Sequence, residues 1–249
     1  MDTVRAVDRA IDVLRCFIGT PRGLKVAEIE RETGIARPTL YRLIRTLERR
    51  GMLRASEDPT RFELDYGVIE LANSCLRGFD LGSRAEPALR KLAEASDETV
   101  ALSVYRDGKR FYIREIPANH PLSFARGVGA TGTITRGATG IAILAFETPE
   151  VISGYLESVP AEQRPALAAA IGKTQAAGYA VSVNEIVDGA TAIAAPIFDR
   201  NRKVTGSVGV YGPSVRLTPE RMTAVTDLVL DCAHEISSLE RCLPARIRR

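Results

Sequence analysis

The sequence predicts an α+β protein in two parts that are joined by a helical linker. Apolar residues in the first 50 positions recur at steps of three and four and stop at glycines, which is typical of short helices. A short hairpin-like segment follows. After Glu98, alternating apolar segments are interleaved with helical ones, which is typical of an antiparallel sheet packed by helices. We therefore predict a winged helix-turn-helix over 1–65, a linker over 66–80 and a second domain over 81–249.

Composition places the chain among ordinary globular proteins. Its 249 residues suffice for one or two domains, and its 45% hydrophobic share supports a substantial buried core. No apolar run approaches the roughly 18 residues that a membrane span needs, and no signal peptide begins the chain. We therefore expect a cytoplasmic protein with no membrane partner.

Cysteine and histidine usage predicts no metal site. The four cysteines contain no CxxC pair, and only two histidines, His120 and His234, are present. A zinc site needs clustered ligands. We expect no metal and no cofactor, and isolated buried thiols at Cys16, Cys75, Cys232 and Cys242.

Positive charge is concentrated near the N-terminus. Residues 1–54 contain twelve Lys/Arg and seven Asp/Glu, a net charge of +5, whereas residues 55–249 carry −2. This asymmetry indicates that the N-terminal part contacts a polyanion.

Three short helices are predicted before residue 51. The second ends at Gly34, which supplies a left-handed cap, and the third runs from about Pro38 to Gly51. The first ends in the run Thr20-Pro21-Arg22-Gly23 and carries a stripe that could serve dimerisation or simply be core: Val4, Val7, Ile11, Leu14 and Ile18.

The third helix divides into an apolar stripe and a basic face. Leu40, Leu43, Ile44 and Leu47 form the stripe, and the arginines lie largely off it. A helix that enters the major groove needs donors for phosphates and base edges. The alternative is a solvated basic face on an ordinary helical bundle.

A wing follows this helix and favours the DNA-binding interpretation. The strand-like runs 52–54 and 61–64 enclose Ser56-Glu57-Asp58-Pro59-Thr60, which is rich in turn formers. The acidic tip argues against deep insertion into a groove. The predicted DNA-binding residues are Arg37, Pro38, Thr39, Tyr41, Arg42, Arg45, Arg54 and Arg61.

The remainder alternates between helical and strand-like segments. A helical stretch over 66–97 is interrupted by a predicted break at Gly78–Gly82, and Asp107-Gly108 predicts a hairpin turn. Thr218 and Pro219 mark the start of a last helix whose stripe runs from Met222 to Leu243. Further strands are predicted over 179–185, 190–198 and 204–211, and further helices over 138–146, 150–157 and 165–177.

No catalytic constellation is visible. Residues 127–132 fit G-x-G-x-x-G, but the threonines that follow favour extended structure, so a loop at the rim of a pocket is predicted rather than a dinucleotide site. No phosphate loop and no Gly-x-Ser-x-Gly elbow is present. We therefore expect no enzymatic activity.

The order of these motifs resembles the IclR family of bacterial regulators over almost the whole chain. In the first half the resemblance rests on the runs 5–14, 23–29, 33–43 and 47–53. In the second half it rests on 137–145, on Gly178-Tyr179 with Glu185 and Gly189, and on 193–199, 206–209 and 212–213. Two departures are Pro38, where the family commonly has Ser, and Ile141, where it usually has Lys.

The resemblance implies a GAF-like effector-binding domain in the second half. It also implies dimers, often paired into tetramers. Ala192 and Gly209 replace polar groups that bind small oxo-acids in relatives, which suggests a larger or partly aromatic ligand; the alternative is sheet packing. Arg126 and Arg136 flank the loop and are predicted to be solvated rather than ligand-bound. By alignment, the implied effector-binding residues are Gly132, Thr133, Ala138, Thr139, Ser182, Ala192, Gly209 and Tyr211.

The predicted function is that of a ligand-responsive transcriptional regulator. Its expected partners are double-stranded operator DNA, an organic or aromatic acid as effector, and further copies of itself in a homodimer or homotetramer. The genes it controls are expected to serve the metabolism of small carbon compounds. The alternative is a small-molecule sensor without DNA binding.

Overall fold

The computed structural model describes residues 3–20, 22–58, 60–78 and 80–241. Contacts divide the chain into two compact units, Met1–Gly78 and Phe79–Arg249, called here the N-terminal and C-terminal units. Four residues that carried sequence-based expectations, Pro21, Pro59, Cys242 and Leu243, lie outside the described residues. No described helix is long and apolar enough to span a membrane.

The N-terminal unit is a helix-turn-helix with a wing. Gly34 ends the second helix in the left-handed conformation at φ 66°, as its position predicts. The strands form an antiparallel sheet in the order β1-β3-β2. The elements are α1 (Arg5–Arg15), β1 (Leu24–Lys25), α2 (Val26–Thr33), α3 (Arg37–Arg49), β2 (Leu53–Ala55), β3 (Arg61–Leu64) and α4 (Tyr66–Gly78).

The core of this unit uses a different face of α1 from the one that the sequence singled out. Val13, Cys16 and Phe17 are buried with Ile29 and Leu40. The stripe noted in the sequence is largely exposed in the single chain, and its most exposed members are Val4 (67%), Val7 (53%), Ile11 (48%) and Ile18 (72%). Within one chain that stripe is therefore surface, except at Leu14, which packs against the core.

The C-terminal unit is built on one six-stranded antiparallel sheet in the order β6-β5-β4-β9-β8-β7. Asp107 and Gly108 both have positive φ in the tight turn between β4 and β5, as predicted. The elements are α5 (Asp80–Ser96), β4 (Thr99–Arg106), β5 (Lys109–Ile116), β6 (Thr131–Gly132), α6 (Ala138–Leu144), α7 (Pro149–Ser158), α8 (Arg164–Ala177), β7 (Ala180–Val183), β8 (Ala190–Phe198), β9 (Val204–Pro213) and α9 (Pro219–Arg241).

Helices cover both faces of this sheet. Alternate residues such as Leu102, Ile193 and Val208 pack on one face with α5 and α9. The intervening residues, including Ala194, face α6 and α8 on the other side. Alternation along each strand therefore separates two cores, and the second face also holds the pocket described below.

A β-bulge in β5 changes which side chains reach that second face. Leu102 pairs with Arg114 and Ser103 pairs with Tyr112, so Ile113 has no partner on β4. Such an extra residue reverses the alternation. Tyr112 and Glu115, three positions apart, consequently contribute to the same face, and Ile113 packs in the opposite core.

Two local predictions are confirmed only in part, since α4 ends at Gly78 and α5 begins at Asp80, and a strand is formed at Thr131–Gly132. The break expected at Gly78–Gly82 does not include Gly82, which lies inside α5 against the Arg114 side chain, where a Cβ would already touch the guanidinium. The extended structure expected around Thr131–Thr135 is a strand only at Thr131–Gly132. The Thr133 hydroxyl accepts the Thr135 N–H at 3.0 Å and thereby replaces strand pairing with a local turn.

A buried ion pair connects β4 to the segment before α9. Glu98 is fully buried, and its two carboxylate oxygens accept hydrogen bonds from Arg216 Nε and Nη2 at 2.6 and 2.7 Å. Arg216 Nη1 also donates to the Leu122 carbonyl at 3.0 Å. The pair thus holds the chain segment that leads to the pocket.

We expect Arg216→Ala to destabilise the C-terminal unit by about 3 kcal/mol, because it leaves a buried carboxylate without its counter-ion. Thermal unfolding followed by circular dichroism measures this loss. Arg200→Ala, which removes an exposed arginine, should change Tm by less than about 2 °C. Equal effects of the two substitutions would show that the pair does not stabilise the unit.

Candidate DNA-binding surface and effector pocket

The basic face of α3 is exposed. Leu40, Ile44 and Leu47 anchor the helix in the core. The opposite side presents Tyr41, Arg42 and Arg45 to solvent, and no acidic residue lies in the first turn of α3. Exposed arginines on a helix fixed from behind can reach phosphates and base edges.

Arg37 at the start of α3 is held by α2. Its Nε donates to Glu30 Oε2 at 2.7 Å, and the side chain remains 62% exposed. This hydrogen bond raises the pKa of Arg37. Pro38 is exposed beside it and Thr39 is half-buried.

The two wing arginines differ in their surroundings. Arg54 is exposed and donates from Nη2 to Glu63 Oε2 at 3.0 Å. Arg61 donates from Nη1 to the Gly23 carbonyl at 3.1 Å and lies 3.4 Å from Glu28 Oε2. Arg61 therefore fastens the wing to β1 and α2, a structural role that sequence reasoning missed.

The acidic wing tip also has a structural explanation. Asp58 Oδ1 accepts the Thr60 N–H at 2.9 Å and the Thr60 hydroxyl at 2.6 Å. These hydrogen bonds lower the pKa of Asp58. Its carboxylate thus shapes the turn.

The second face of the large sheet holds a cavity of about 100 Å³. Three aromatic residues, Tyr112, Phe124 and Tyr211, form one side of it. Its described lining contains two arginines, Arg110 and Arg126, and no Asp or Glu. Such a lining favours a small anion with an apolar body.

Five of the eight predicted effector residues line this cavity: Ala138, Thr139, Ser182, Ala192 and Tyr211. The other three do not belong to its described lining. Gly132 pairs with Arg110 at the edge of the sheet, and Thr133 is exposed in the following turn. The positions implied by the family resemblance therefore lie only in part in the cavity wall.

Gly209 provides room for Thr139 and not for a ligand. A Cβ at position 209 would lie 2.9 Å from Thr139 Cγ2 and 2.9 Å from the Ile193 carbonyl oxygen. The sheet-packing alternative thus applies to Gly209. Ala192, in contrast, does line the cavity.

A buried polar network joins the start of α6 to the sheet. The Tyr112 and Thr139 hydroxyls are 3.1 Å apart. Ser207 Oγ donates to the Thr139 carbonyl at 2.8 Å and lies 2.9 Å from Ser103 Oγ. The network fixes the position of Thr139 in the cavity wall.

Glu115 organises the loop beside the cavity. Its two carboxylate oxygens accept the N–H groups of Arg126 and Gly127 at 2.7 Å each. Glu115 Oε1 also accepts a hydrogen bond from the Tyr211 hydroxyl. Burial, followed by this carboxylate, raises the pKa of Tyr211 well above its ordinary value, so the phenol stays protonated and donates.

Arg110 is the residue of the cavity wall that sequence reasoning missed. The residue is only 5% exposed, and burial lowers its pKa. A guanidinium nevertheless remains charged at neutral pH. No sequence signal pointed to it, because β5 (KRFYIREI) carries four charged residues among eight and Arg110 alternates with the apolar Phe111 and Ile113. Arg126 also lines the cavity, whereas Arg136 bonds the Glu185 carbonyl at 2.6 Å.

The thiols and histidines that the structure describes belong to no metal-binding cluster. Within the described residues, no group of three His, Cys, Asp or Glu could hold a metal ion. Cys16 and Cys232 are buried, and burial raises the pKa of Cys232 to about 12. Cys75 is exposed, contrary to prediction, because α4 leaves that side open within its unit.

The fold and these surfaces together define a helix-turn-helix DNA-binding regulator with a second, pocket-bearing unit. Family models support this class over both units: one described as the IclR helix-turn-helix domain matches residues 6–57, and one described as the bacterial transcriptional regulator IclR C-terminal matches residues 73–238. The chain therefore belongs to the IclR family of transcriptional regulators, which are not enzymes.

Individual relatives extend along nearly the full chain. The chain is 27% identical to the HTH-type transcriptional regulator BhcR of Paracoccus denitrificans over 94% of its own length and 86% of the relative. It is 28% identical to the glycerol operon regulatory protein of Streptomyces griseus, covering 94% and 95% of the two chains.

Solved structures show the same fold. An IclR-family regulator from Brucella abortus superimposes with a TM-score of 0.80 at 26% identity, over 98% of this chain and 94% of that one. An IclR homologue from Microbacterium hydrocarbonoxydans, complexed with 4-hydroxybenzoate, gives a TM-score of 0.79 at 20% identity, over 94% and 98% of the chains.

We expect Glu115→Ala to loosen the loop around Arg126, because two backbone N–H groups lose their acceptor. Limited trypsin digestion should then cleave after Arg126 several-fold faster than in the native chain. Glu157→Ala, at an exposed carboxylate on α7, serves as the matched control. An unchanged cleavage rate would show that Glu115 does not hold the loop.

Proposed function

We propose that this chain is a ligand-responsive regulator that binds operator DNA through α3 and the wing. The observation that carries this proposal is the exposed arginine face of α3, fixed from behind by Leu40, Ile44 and Leu47. The proposed DNA contacts are the eight predicted residues, with Arg61 also holding the wing in place. A sensor without DNA binding would leave the exposed Arg42 and Arg45 of α3 without a function.

We infer that the effector is an organic or aromatic acid that binds in the cavity of the C-terminal unit. Two arginines and three aromatic rings in its wall support this inference. The structural relative that holds 4-hydroxybenzoate and the relative named for a glycerol operon agree with a role in the metabolism of small carbon compounds. We place this activity in the cytoplasm, where operator DNA is found.

The proposed mechanism is a linkage between two sites. The effector binds the second domain, proposed at 81–249, and the linker over 66–80 transmits the effect to the DNA-binding domain. Because linkage is reciprocal, an acid that weakens DNA binding must itself bind more weakly to the DNA complex.

We further propose that the regulator acts as a homodimer, alone or paired into a homotetramer. Two-fold symmetry allows paired helix-turn-helix domains to contact paired half-sites. The apolar stripe supports this proposal, because Val7 and Ile11 on α1, with Val4 before it and Ile18 after it, expose apolar side chains.

We expect Arg42→Ala to weaken operator binding by about 1–3 kcal/mol, roughly 5- to 150-fold, because it removes a donor from the exposed face of α3. Fluorescence anisotropy with genomic fragments selected by the native protein, over a salt series, measures the loss. Effector affinity should not change.

Arg200→Ala is the control for this experiment, since it removes the same charge from an exposed turn of the C-terminal unit. Equal DNA affinity of the native, Arg42→Ala and Arg200→Ala chains would exclude α3 as the DNA-binding element. The sensor alternative would then stand.

We expect Ile11→Asp to dissociate the dimer, because a carboxylate on the α1 stripe cannot be buried without a partner. Sedimentation velocity should show a shift toward the 27.0 kDa monomer. Thr3→Asp, which adds the same charge before α1, is the control. A native chain that is already monomeric, or an Ile11→Asp chain that remains dimeric, would rule out this interface.

A further inference from the structure

The buried guanidinium of Arg110 is not neutralised by the protein around it. Among the described residues, its Nη1 donates to the Arg136 carbonyl at 3.0 Å, and the Tyr112 side chain favours its charged form. Arg110 Nε is buried and has no hydrogen-bond partner there. No described carboxylate lies within ion-pair distance of it, and its other close neighbour is the Tyr112 ring, 5.5 Å from the guanidinium carbon.

Glycines make the space in which this guanidinium lies. A Cβ at Gly132 would stand 2.9 Å from both Nε and Nη2, and a Cβ at Gly140 would stand 2.6 Å from Nη1. Gly137, with φ 73°, lies 3.8 Å from Nη1 by the same measure. The glycines of the run 132–140 therefore accommodate the head group of Arg110.

The charges that face Arg110 leave the cavity positive. Arg126 is the other charged residue of the cavity wall, and its proximity adds to the unfavourable potential at Arg110. Glu185 opposes this effect at Arg110, and its carboxylate lies 3.9 Å from Arg136 Nε. A buried charge without a counter-ion destabilises the empty protein, so an anion that supplies the counter-charge gains affinity from the same burial.

We propose that Arg110 binds the carboxylate of the effector and that the effector is an aromatic monocarboxylate of a single ring. This inference rests on the proposed effector function of the cavity. The guanidinium of Arg110 lines the cavity, and its planar donors match the two oxygens of a carboxylate. One negative charge on the ligand is enough to neutralise the buried Arg110 guanidinium.

The remaining cavity wall defines the body of the ligand. Phe124 and Tyr211 stand with Tyr112 on one side, and Ala138 and Ala192 contribute small apolar contacts. The volume of about 100 Å³ is below the roughly 150 Å³ of a cavity that holds benzene, which excludes a ligand body larger than one ring. A flat ring uses the aromatic wall, whereas a two-carbon acid leaves it uncovered.

The first test compares benzoate, benzamide and acetate on the native full-length chain. Benzoate and benzamide have nearly the same shape, but only benzoate carries the charge. We expect benzoate to bind at least about tenfold more tightly than either of the other probes, by calorimetry, and to raise Tm accordingly. Benzamide binding as tightly as benzoate, acetate binding more tightly, or no saturable benzoate binding at millimolar concentration would overturn the proposal.

The second test removes the charge. In Arg110→Met the preference for benzoate over benzamide, about tenfold or more in the native chain, should disappear, because both probes now meet an apolar wall. A purely structural role would weaken both probes equally. Lys109→Met, which removes the exposed cation beside Arg110, should leave the preference intact. Without ligand, Arg110→Met should unfold at the native Tm or above it, because it removes an uncompensated buried charge.

A third variant keeps the charge and moves it. Gly132→Ala places a methyl group against Nε and Nη2 and should lower the benzoate preference several-fold while retaining the arginine. If Arg110→Met does not fold, the Gly132→Ala variant tests whether Arg110 binds the carboxylate. An unchanged preference in both Gly132→Ala and any folded Arg110→Met chain would show that Arg110 does not bind the carboxylate.

DNA binding without ligand is measured in parallel on every variant. If the native chain prefers benzoate through Arg110 but binds no DNA, the role of Arg110 in carboxylate binding is supported and the regulatory proposal fails. If the native chain binds DNA but does not distinguish benzoate from benzamide, the regulatory proposal is supported and the role of Arg110 in carboxylate binding is refuted.

Discussion

The six-stranded sheet of the C-terminal unit must bury both of its faces, and the rest of that unit depends on this constraint. Alternation along the strands sends Leu102, Ile193 and Val208 toward α5 and α9, and sends their neighbours toward α6 and α8. The bulge at Ile113 is the one shift in the β4–β5 register, and it brings both Tyr112 and Glu115 to the second face. A pocket therefore forms where the second face is not filled by helices.

Three charged side-chain groups of this unit differ in how they are neutralised or hydrogen-bonded. Glu98 and Arg216 neutralise one another in a bidentate pair, and this arrangement is structural. Glu115 is satisfied by two backbone N–H groups and the Tyr211 hydroxyl, so it shapes a loop. Arg110 alone of these groups keeps a buried donor without an acceptor. A buried polar group without a hydrogen-bond partner destabilises the protein, and such a group in a cavity wall is typical of a binding site.

In the N-terminal unit, residues that hold the fold together and residues that are exposed for binding lie on different faces of the same element. On α3, three buried residues hold the helix and the arginines are left exposed. On the wing, Arg61 fastens the strands, whereas Arg54 remains exposed. On α1, Val13, Cys16 and Phe17 fill the core, so the more regular apolar stripe remains on the surface, available to another copy of the chain.

The sequence by itself determined the α+β class, the helix-turn-helix with its wing, the hairpin at Asp107-Gly108 and the approximate bounds of most helices and strands. These features follow from local periodicity, caps and turn residues, which act over a few positions. The family followed from the order of the motifs. The eight effector positions came by alignment, and five of them line the cavity.

Only the tertiary structure decided which side chains meet across the fold. The face of α1 that is buried, the covering of Gly209 by Thr139 and the fastening role of Arg61 all depend on residues far away in the sequence. Arg110 is the clearest case. Its surroundings are set by β6, by a turn before α6 and by glycines more than twenty positions away, and the bulge three residues along its own strand has no sequence signal. Burial and pairing are properties of neighbours in space, which local patterns do not specify.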